Sequence, residues 1–276
     1  MEVTKPNTKE TKAVTQEHFI IELFCRVDDM LPKTQEHFQA KLSRSELVTL
    51  GLLFALKGSS QHAFYRWIRQ NWLDPFPALP ERTRLFRRLK THRQVTEQFL
   101  AEPTLFGVID SYGIELCHPI RERHHAHRKR IGKKGYASWR WLVGGKLCLL
   151  ANKFGLVTGW QVSTANVSDQ SFLPLVEAVS EKMIVLADKG FRKKINPPEN
   201  LKICAKGEWN DRMLIETVFS LLSQVCKLKH LRQRVWAYFE MRLAYTVALF
   251  NLLQNWNELN FDENGVSHLK LAEFSL

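Results

Sequence analysis

Apolar residues recur at helical spacing between Glu17 and Trp72, first as Phe19, Leu23, Val27 and Leu31, then as Leu47, Leu50, Leu53 and Phe54. Ser43 and Glu46 stand at capping-box spacing ahead of the second run and predict a helix start there. The pattern breaks at Asp74-Pro75-Phe76-Pro77-Ala78-Leu79-Pro80, because proline lacks an amide hydrogen and crowds the preceding turn. Beyond it, Glu81 to Leu89 reads as a short basic amphipathic helix carrying Arg84, Arg87 and Arg88. Helix, turn and basic helix is an arrangement that contacts DNA, so residues 17–100 are expected to form a helical DNA-binding region behind a polar leader, 1–16.

From Leu105 the period changes. Short apolar runs bounded by Gly, Pro, Asn and Asp predict strands over Gly107–Leu116, Leu142–Asn152, Leu156–Thr164 and Met183–Ala187, with a short fifth over Leu201–Ala205. The first three are close enough in sequence to pair as antiparallel neighbours, Lys153-Phe154-Gly155 making a tight turn. A helix over Asp169–Glu181 then crosses to the fourth strand, which runs parallel to a neighbour. That order is the ribonuclease H order, so the expected class is α/β: a mixed five-stranded sheet flanked by helices. Helical periodicity returns over Asn210–Lys229, with Ile215, Val218, Phe219 and Leu222 on one face, and over Ala237–Leu259, whose apolar stripe is core or a dimer face. The catalytic domain is expected over residues 105–260, and 261–276 read as a tail.

Composition narrows the class. The chain is 276 residues long and 45% hydrophobic, enough for a sizeable core. No apolar run approaches the roughly 20 residues of a membrane span, and Met1 to Gln16 lack the apolar block of an export signal, so a cytoplasmic, nucleoid-associated location is expected. Cys25, Cys117, Cys148, Cys204 and Cys226 form no Cys-x-x-Cys pair and read as buried reduced thiols.

The formal charge of +12 favours a polyanion, and double-stranded DNA is the expected partner. Half of that excess lies in residues 121–135, where Arg121, Arg123, Arg128, Lys129, Arg130, Lys133 and Lys134 face only Glu122. This segment is expected to track phosphates, with Trp139 and Trp141 placed to stack on bases for about 1–3 kcal/mol each. His124, His125 and His127 lie among these cations, which repel a metal ion, and read as DNA contacts.

Val108-Ile109-Asp110-Ser111 sets a carboxylate inside the first strand, and Val185-Leu186-Ala187-Asp188-Lys189-Gly190-Phe191 sets another at the end of the fourth. In a ribonuclease H sheet those strands are adjacent, so the two carboxylates converge. Glu216 follows on a helix, one turn after Arg212. Glu208 is a weaker candidate for the third position, since it precedes that helix. Hard oxygen ligands in basic surroundings suit Mg²⁺ or Mn²⁺, and two ions roughly 3.5–4 Å apart serve an in-line displacement at phosphorus. The nucleophile would be water, then the freed 3′-hydroxyl.

Ile109-Asp110-Ser111, Ile131-Gly132-Lys133-Lys134-Gly135, Asn166-Val167-Ser168-Asp169-Gln170, Asp188-Lys189-Gly190-Phe191 and Arg212-x-x-x-Glu216-x-x-Phe219 together resemble the DDE transposases of bacterial insertion sequences over about Leu105 to Trp256. Leu42 to Trp72 also looks like the helical amino-terminal region of that group. The resemblance implies DNA strand transfer, Asp110, Asp188 and Glu216 as the metal ligands, and an oligomer, a homodimer, on DNA. Trp209 and Ser223 stand where the pattern has Tyr and a basic residue. Trp209 can still stack on a base or sugar, and the basic role passes to Lys227 or Lys229 or is absent. The short gap between Asp188 and Glu216 leaves no room for an insertion domain. Two other readings stay open: a stand-alone nuclease of the same fold, and an inactive relative kept as a DNA-binding protein.

Overall fold

The computed structural model describes residues 16–33, 41–118, 133–137, 140–204, 212–231, 233, 235–256, 260–261 and 267–268. Four helices open the described chain: α1 (Gln16–Met30), α2 (Arg44–Lys57), α3 (Gln61–Asn71) and α4 (Arg82–Thr91). The capping box forms as the spacing predicts. Glu46 N donates to Ser43 Oγ at 3.0 Å and Ser43 N to Glu46 Oε2 at 2.6 Å, an arrangement that stabilises a helix start by about 1 kcal/mol. Asp28 accepts from Ser45 Oγ at 2.6 Å and so ties α1 to the first turn of α2.

The sheet has six strands rather than five: β1 (Phe106–Cys117), β2 (Lys133–Ala137), β3 (Arg140–Asn152), β4 (Val157–Thr164), β5 (Ile184–Ala187) and β6 (Leu201–Ile203). The added strand, β2, lies in the segment expected to be a basic loop. It pairs with Arg140–Gly144 of β3, while β4 takes the rest of that edge, Gly145–Ala151. Along the sheet the order is β2-β3-β1-β5-β6, with β4 on β3; β1, β3 and β4 are antiparallel, and β1, β5 and β6 are parallel. This mixed sheet with flanking helices is consistent with a ribonuclease-H-like fold.

The crossover from β4 to β5 is shorter than the expected helix. Asp169–Phe172 is a 3₁₀ turn and α5 covers only Leu173–Glu177 before turns lead into β5. After the sheet come α6 (Arg212–Gln224), a 3₁₀ turn at Leu228–His230, and α7 (Trp236–Trp256). The helix expected over Asn210–Lys229 therefore ends early, and Lys227 adopts a left-handed conformation, φ 54°, at the break. Within the expected tail, β7 (Asn260–Phe261) pairs with β8 (Ser267–His268).

α7 is apolar on every side and buried on every side from Phe239 to Gln254, so its stripe is core of this chain. It crosses α2 so closely that a Cβ on Gly51 would stand 2.2 Å from Tyr245 Cε1. Buried Asn251 stitches the helices to the sheet: its Nδ2 donates to Phe99 O (2.9 Å) and Val157 O (2.7 Å), and its Oδ1 accepts from Val157 N. One apolar cluster runs from α1–α4 through α6 and α7 onto the sheet face carrying Val108, Leu147, Leu149 and Leu186. A second sits on the opposite face, where Ile109, Cys148, Leu150, Val185 and Ala187 meet Phe172, Leu173 and Val176 of the crossover. Of the cysteines expected to be buried, Cys148, Cys204 and Cys226 are, whereas Cys25 is exposed and Cys117 half-exposed. Cys25 falls two residues from Leu23, on the other side of α1.

Candidate active site

Strand alternation sorts the functional side chains between the two faces. Val108 belongs to the helix-covered face and Ile109 to the crossover face, so Asp110 follows Val108 and Ser111 follows Ile109. In β5, Leu186 is on the helix-covered face and Ala187 on the other, which returns Asp188 to the side of Asp110. The parallel register runs Phe106↔Ile184, Gly107↔Val185, Val108↔Leu186. Asp110 lies two residues beyond the last paired residue of β1, and Asp188 caps the 3₁₀ turn directly after β5. Each carboxylate is held by a nearby amide: Ser111 N donates to Asp110 Oδ1 at 2.7 Å, and Gly190 N to Asp188 Oδ1 at 2.8 Å. Both residues are half-buried.

Glu216 approaches the same face from above. Its helix, α6, buries Ile215, Val218, Phe219 and Leu222, and Phe219 stacks on Tyr112 with ring centroids 5.3 Å apart. Tyr112 is two residues beyond Asp110 on one side of β1, and Glu216 lies one turn before Phe219, so packing brings the helix over the carboxylate pair. Glu216 itself is exposed. No set of three or more His, Cys, Asp or Glu side chains among the described residues is gathered tightly enough to hold a metal ion. Asp110 and Asp188, both half-buried, are oxygen donors of the kind that suits Mg²⁺, which binds through one or two carboxylates and otherwise takes waters and substrate phosphates.

Behind the pair, on the crossover face, lies a network that composition and motif reading did not assign. Asp169 Oδ1 accepts from Ser111 Oγ at 2.5 Å and from Lys146 Nζ at 3.1 Å. Lys146 is 7% exposed. A buried lysine requires such a partner, because an isolated ammonium in the interior costs several kcal/mol. The signal was present in sequence, as one cation in the apolar run Leu142–Asn152 and as the Asp of Asn166–Gln170. Asp169 also reaches the turn that presents Asp188: a Cβ on Gly190 would stand 2.8 Å from Asp169 Oδ2 and 3.0 Å from Asp188 Oδ1. Gln170 Nε2 adds a bond to Arg192 O at 2.6 Å, past the same turn. Burial, joined by the charges of Asp110 and Asp169 and opposed by Lys146, pushes the Cys148 thiol well up, so Cys148 is a neutral core residue.

The expected DNA contacts divide. Arg84 and Arg87 project from α4 into solvent. Arg88 is half-buried and donates to Leu42 O at 3.2 Å, which ties α4 to the start of α2. Lys133 and Lys134 lie exposed on β2, not on a loop, and Lys134 Nζ sits 5.2 Å from the centroid of Trp141. Trp141 and Tyr136 are 58% and 53% exposed and meet edge to face at 5.6 Å, an open aromatic pair beside lysines. Lys227 is exposed, with its stem packed over Gly58. Arg121, Arg123, Arg128, Lys129, Arg130, the three histidines, Trp139, Glu208 and Trp209 lie outside the described residues, and Arg212 is described only as backbone of α6.

Residues 100–196 match the family model described as Transposase DDE domain. That stretch contains β1 to β5, both aspartates and the Asp169 network. No curated protein and no solved structure matches the chain. No helix among the described residues is long and apolar enough to cross a membrane.

Proposed function

We propose, from the match of residues 100–196 to the transposase DDE domain, that the chain nicks the ends of a mobile DNA element and joins the freed 3′-hydroxyl to target DNA, with Asp110, Asp188 and Glu216 at the reacting phosphate. The observation that supports this reading is the parallel pairing of β1 with β5, with Asp110 two residues beyond the last paired residue of β1 and Asp188 just past the end of β5, together with the stacking of Phe219 of the Glu216 helix on Tyr112 of β1.

Asp110 and Asp188 would hold divalent metal, Mg²⁺ or Mn²⁺, with Glu216 completing the set when substrate closes the site. Such ions polarise the scissile phosphate and activate the attacking oxygen. The protein's own part is positional. The β1–β5 ladder sets the spacing of the two aspartates, Asp169 and Gln170 brace the turn that presents Asp188, and the Tyr112–Phe219 stack holds α6 in register with β1. Arg84, Arg87, Lys133, Lys134 and Trp141, together with Arg121, Arg123, Arg128, Lys129 and Arg130, supply the cationic grip on phosphates of double-stranded DNA. The helical region 17–100 contributes to end recognition, and residues 105–260 form the catalytic unit. Two copies acting on paired DNA ends complete the assembly.

The test uses the full chain with Mg²⁺ and DNA carrying the inverted repeats that flank its gene. Cleavage at the repeat ends followed by joining is expected, lost in Asp188→Asn. Cleavage without joining would replace transposition with a stand-alone nuclease. DNA binding with neither reaction, and with the same Mg²⁺ affinity in wild type and Asp188→Asn, would leave a DNA-binding remnant.

A further inference from the structure

Away from the carboxylates, a cleft of about 860 Å³ opens between the helical region and the chain that leads into α7. It is lined by Gly58 to His62, Arg82, Leu231, Gln233, Val235, Tyr238 and Arg242. One end is the N-terminus of α3, where Ser60 Oγ accepts from Ala63 N at 3.2 Å. The helix offers no carbonyl to the amides of Gln61 and His62, and its dipole leaves partial positive charge there.

The other end is Arg242, which is 1% exposed. Its terminal nitrogens donate to Phe54 O and, at 2.9 Å, to Ala55 O, the last carbonyls of α2, and its guanidinium stacks 4.1 Å from the centroid of Phe54. Its Nε has no hydrogen-bond partner among the described residues. Burial lowers the Arg242 pKa to about 9, so it stays protonated at neutral pH. Cys226 beside it is pushed up to about 12 by burial and is neutral at neutral pH, and no carboxylate is among the described residues that line the cleft. A buried cation answered only by carbonyl dipoles is an uncompensated charge, and such charges are ordinarily paired. Two further buried polar atoms of the same cleft, Ser59 Oγ and Gln233 Oε1, also lack partners among the described residues.

We propose that this cleft binds a phosphate group, with Arg242 as its inner cation, the first amides of α3 and Ser59 as donors, and Arg82 and His62 at its rim. A guanidinium and a helix N-terminus facing one cavity are the two devices that proteins use for phosphate, and here they converge. The volume exceeds what one phosphate fills and leaves room for the sugars on either side of a phosphodiester. The shared chemistry is a phosphate oxyanion, supplied either by a DNA backbone or by free phosphate.

The experiment follows thermal unfolding of the full chain in inorganic phosphate, at constant ionic strength against chloride and without divalent metal. Phosphate at about a hundred times its dissociation constant should raise the midpoint by roughly 5–10 °C. Arg242→Gln should abolish the shift, and because that variant can fail to fold, Arg82→Gln and His62→Ala at the exposed rim should each weaken phosphate roughly threefold to tenfold. A second arm measures metal-free duplex binding against salt. A DNA source makes Arg82→Gln weaken all sequences alike and reduces the salt slope by about one. A free-phosphate source leaves duplex binding unchanged while the phosphate shift falls. Absence of a phosphate-specific shift in the wild type, or the same shift in every folded variant, overturns the proposal. None of these readouts depends on strand cleavage.

Discussion

On one face of the sheet, Asp169 is pinned by a buried lysine and a serine hydroxyl. On the other face, Asp110 and Asp188 are each held by a nearby backbone amide, half-buried, with a helix above them bearing an exposed glutamate. The three aspartates share one residue type and one neighbourhood. What differs is the compensation: a cation supplied from within the fold on the crossover face, and short local bonds on the face toward α6. The comparison teaches that carboxylates serving stability and carboxylates available for chemistry are separated by the pleat of a single strand, since neighbours Asp110 and Ser111 point opposite ways.

The sharpest way to break this contrast is to neutralise each side. Asp110→Asn and Asp188→Asn should each reduce strand cleavage by roughly a thousandfold or more, the equivalent of several kcal/mol of lost transition-state stabilisation. Their melting temperatures should stay close to wild type. A large fall in stability with retained cleavage would reverse the assignment of the two faces.

Gly190→Ala comes next. The new Cβ would stand 2.8 Å from Asp169 Oδ2 and 3.0 Å from Asp188 Oδ1, both inside van der Waals contact, so Asp169 must give way and Asp188 is crowded with it. A displacement near 1 Å costs about a hundredfold in rate. Turnover measured beside urea midpoints separates this from unfolding.

Lys146→Met should act mainly on stability. Removing the cation leaves Asp169, whose side chain is 24% exposed, with Ser111 alone. A loss of about 2 kcal/mol is expected by urea denaturation, reduced from the fully buried case by that exposure. Lys146→Met with Asp169→Asn should recover part of it, as a double-mutant cycle would show.

The smallest effect is at His92, beside α4. Partial burial, then Arg88 and Arg44, lower its pKa below 6.5. A histidine depressed in the folded state binds its proton more weakly than in the unfolded chain. Its contribution to stability is therefore complete above about pH 6.5 and is lost as the pH falls through the folded value. DNA laid against α4 should raise that value, because phosphates counter the two arginines. An NMR titration with and without duplex checks this, and an unchanged pKa would remove α4 from the DNA surface.

Much of this was legible in the chain. The Ser43–Glu46 spacing reads directly as a helix start because a capping box is local chemistry. Strands β1, β3, β4 and β5 announce themselves through apolar runs, and the positions of Asp110 within β1 and of Asp188 just past the end of β5 follow from them. Strand β2 was hidden, since Lys133-Lys134-Gly135-Tyr136-Ala137 has neither alternation nor apolar content. It is a strand because the free edge of β3 over Arg140–Gly144 supplies its hydrogen bonds. The crossover helix was overextended for a similar reason: Asp169 spends its side chain on Ser111 and Lys146, and Pro174 restarts the helix inside the predicted span.

What the sequence by itself determined is whatever depends on neighbours within a few residues: periodicity, caps, breaks, the basic excess, and the order of carboxylates that resembles a transposase. What only the tertiary structure decided is which groups meet. Lys146 became the partner of Asp169 across 23 positions, and Arg242 was buried against the end of α2 across 187. The physical reason is that burial raises the cost of every unpaired charge, and burial is a property of the packed whole.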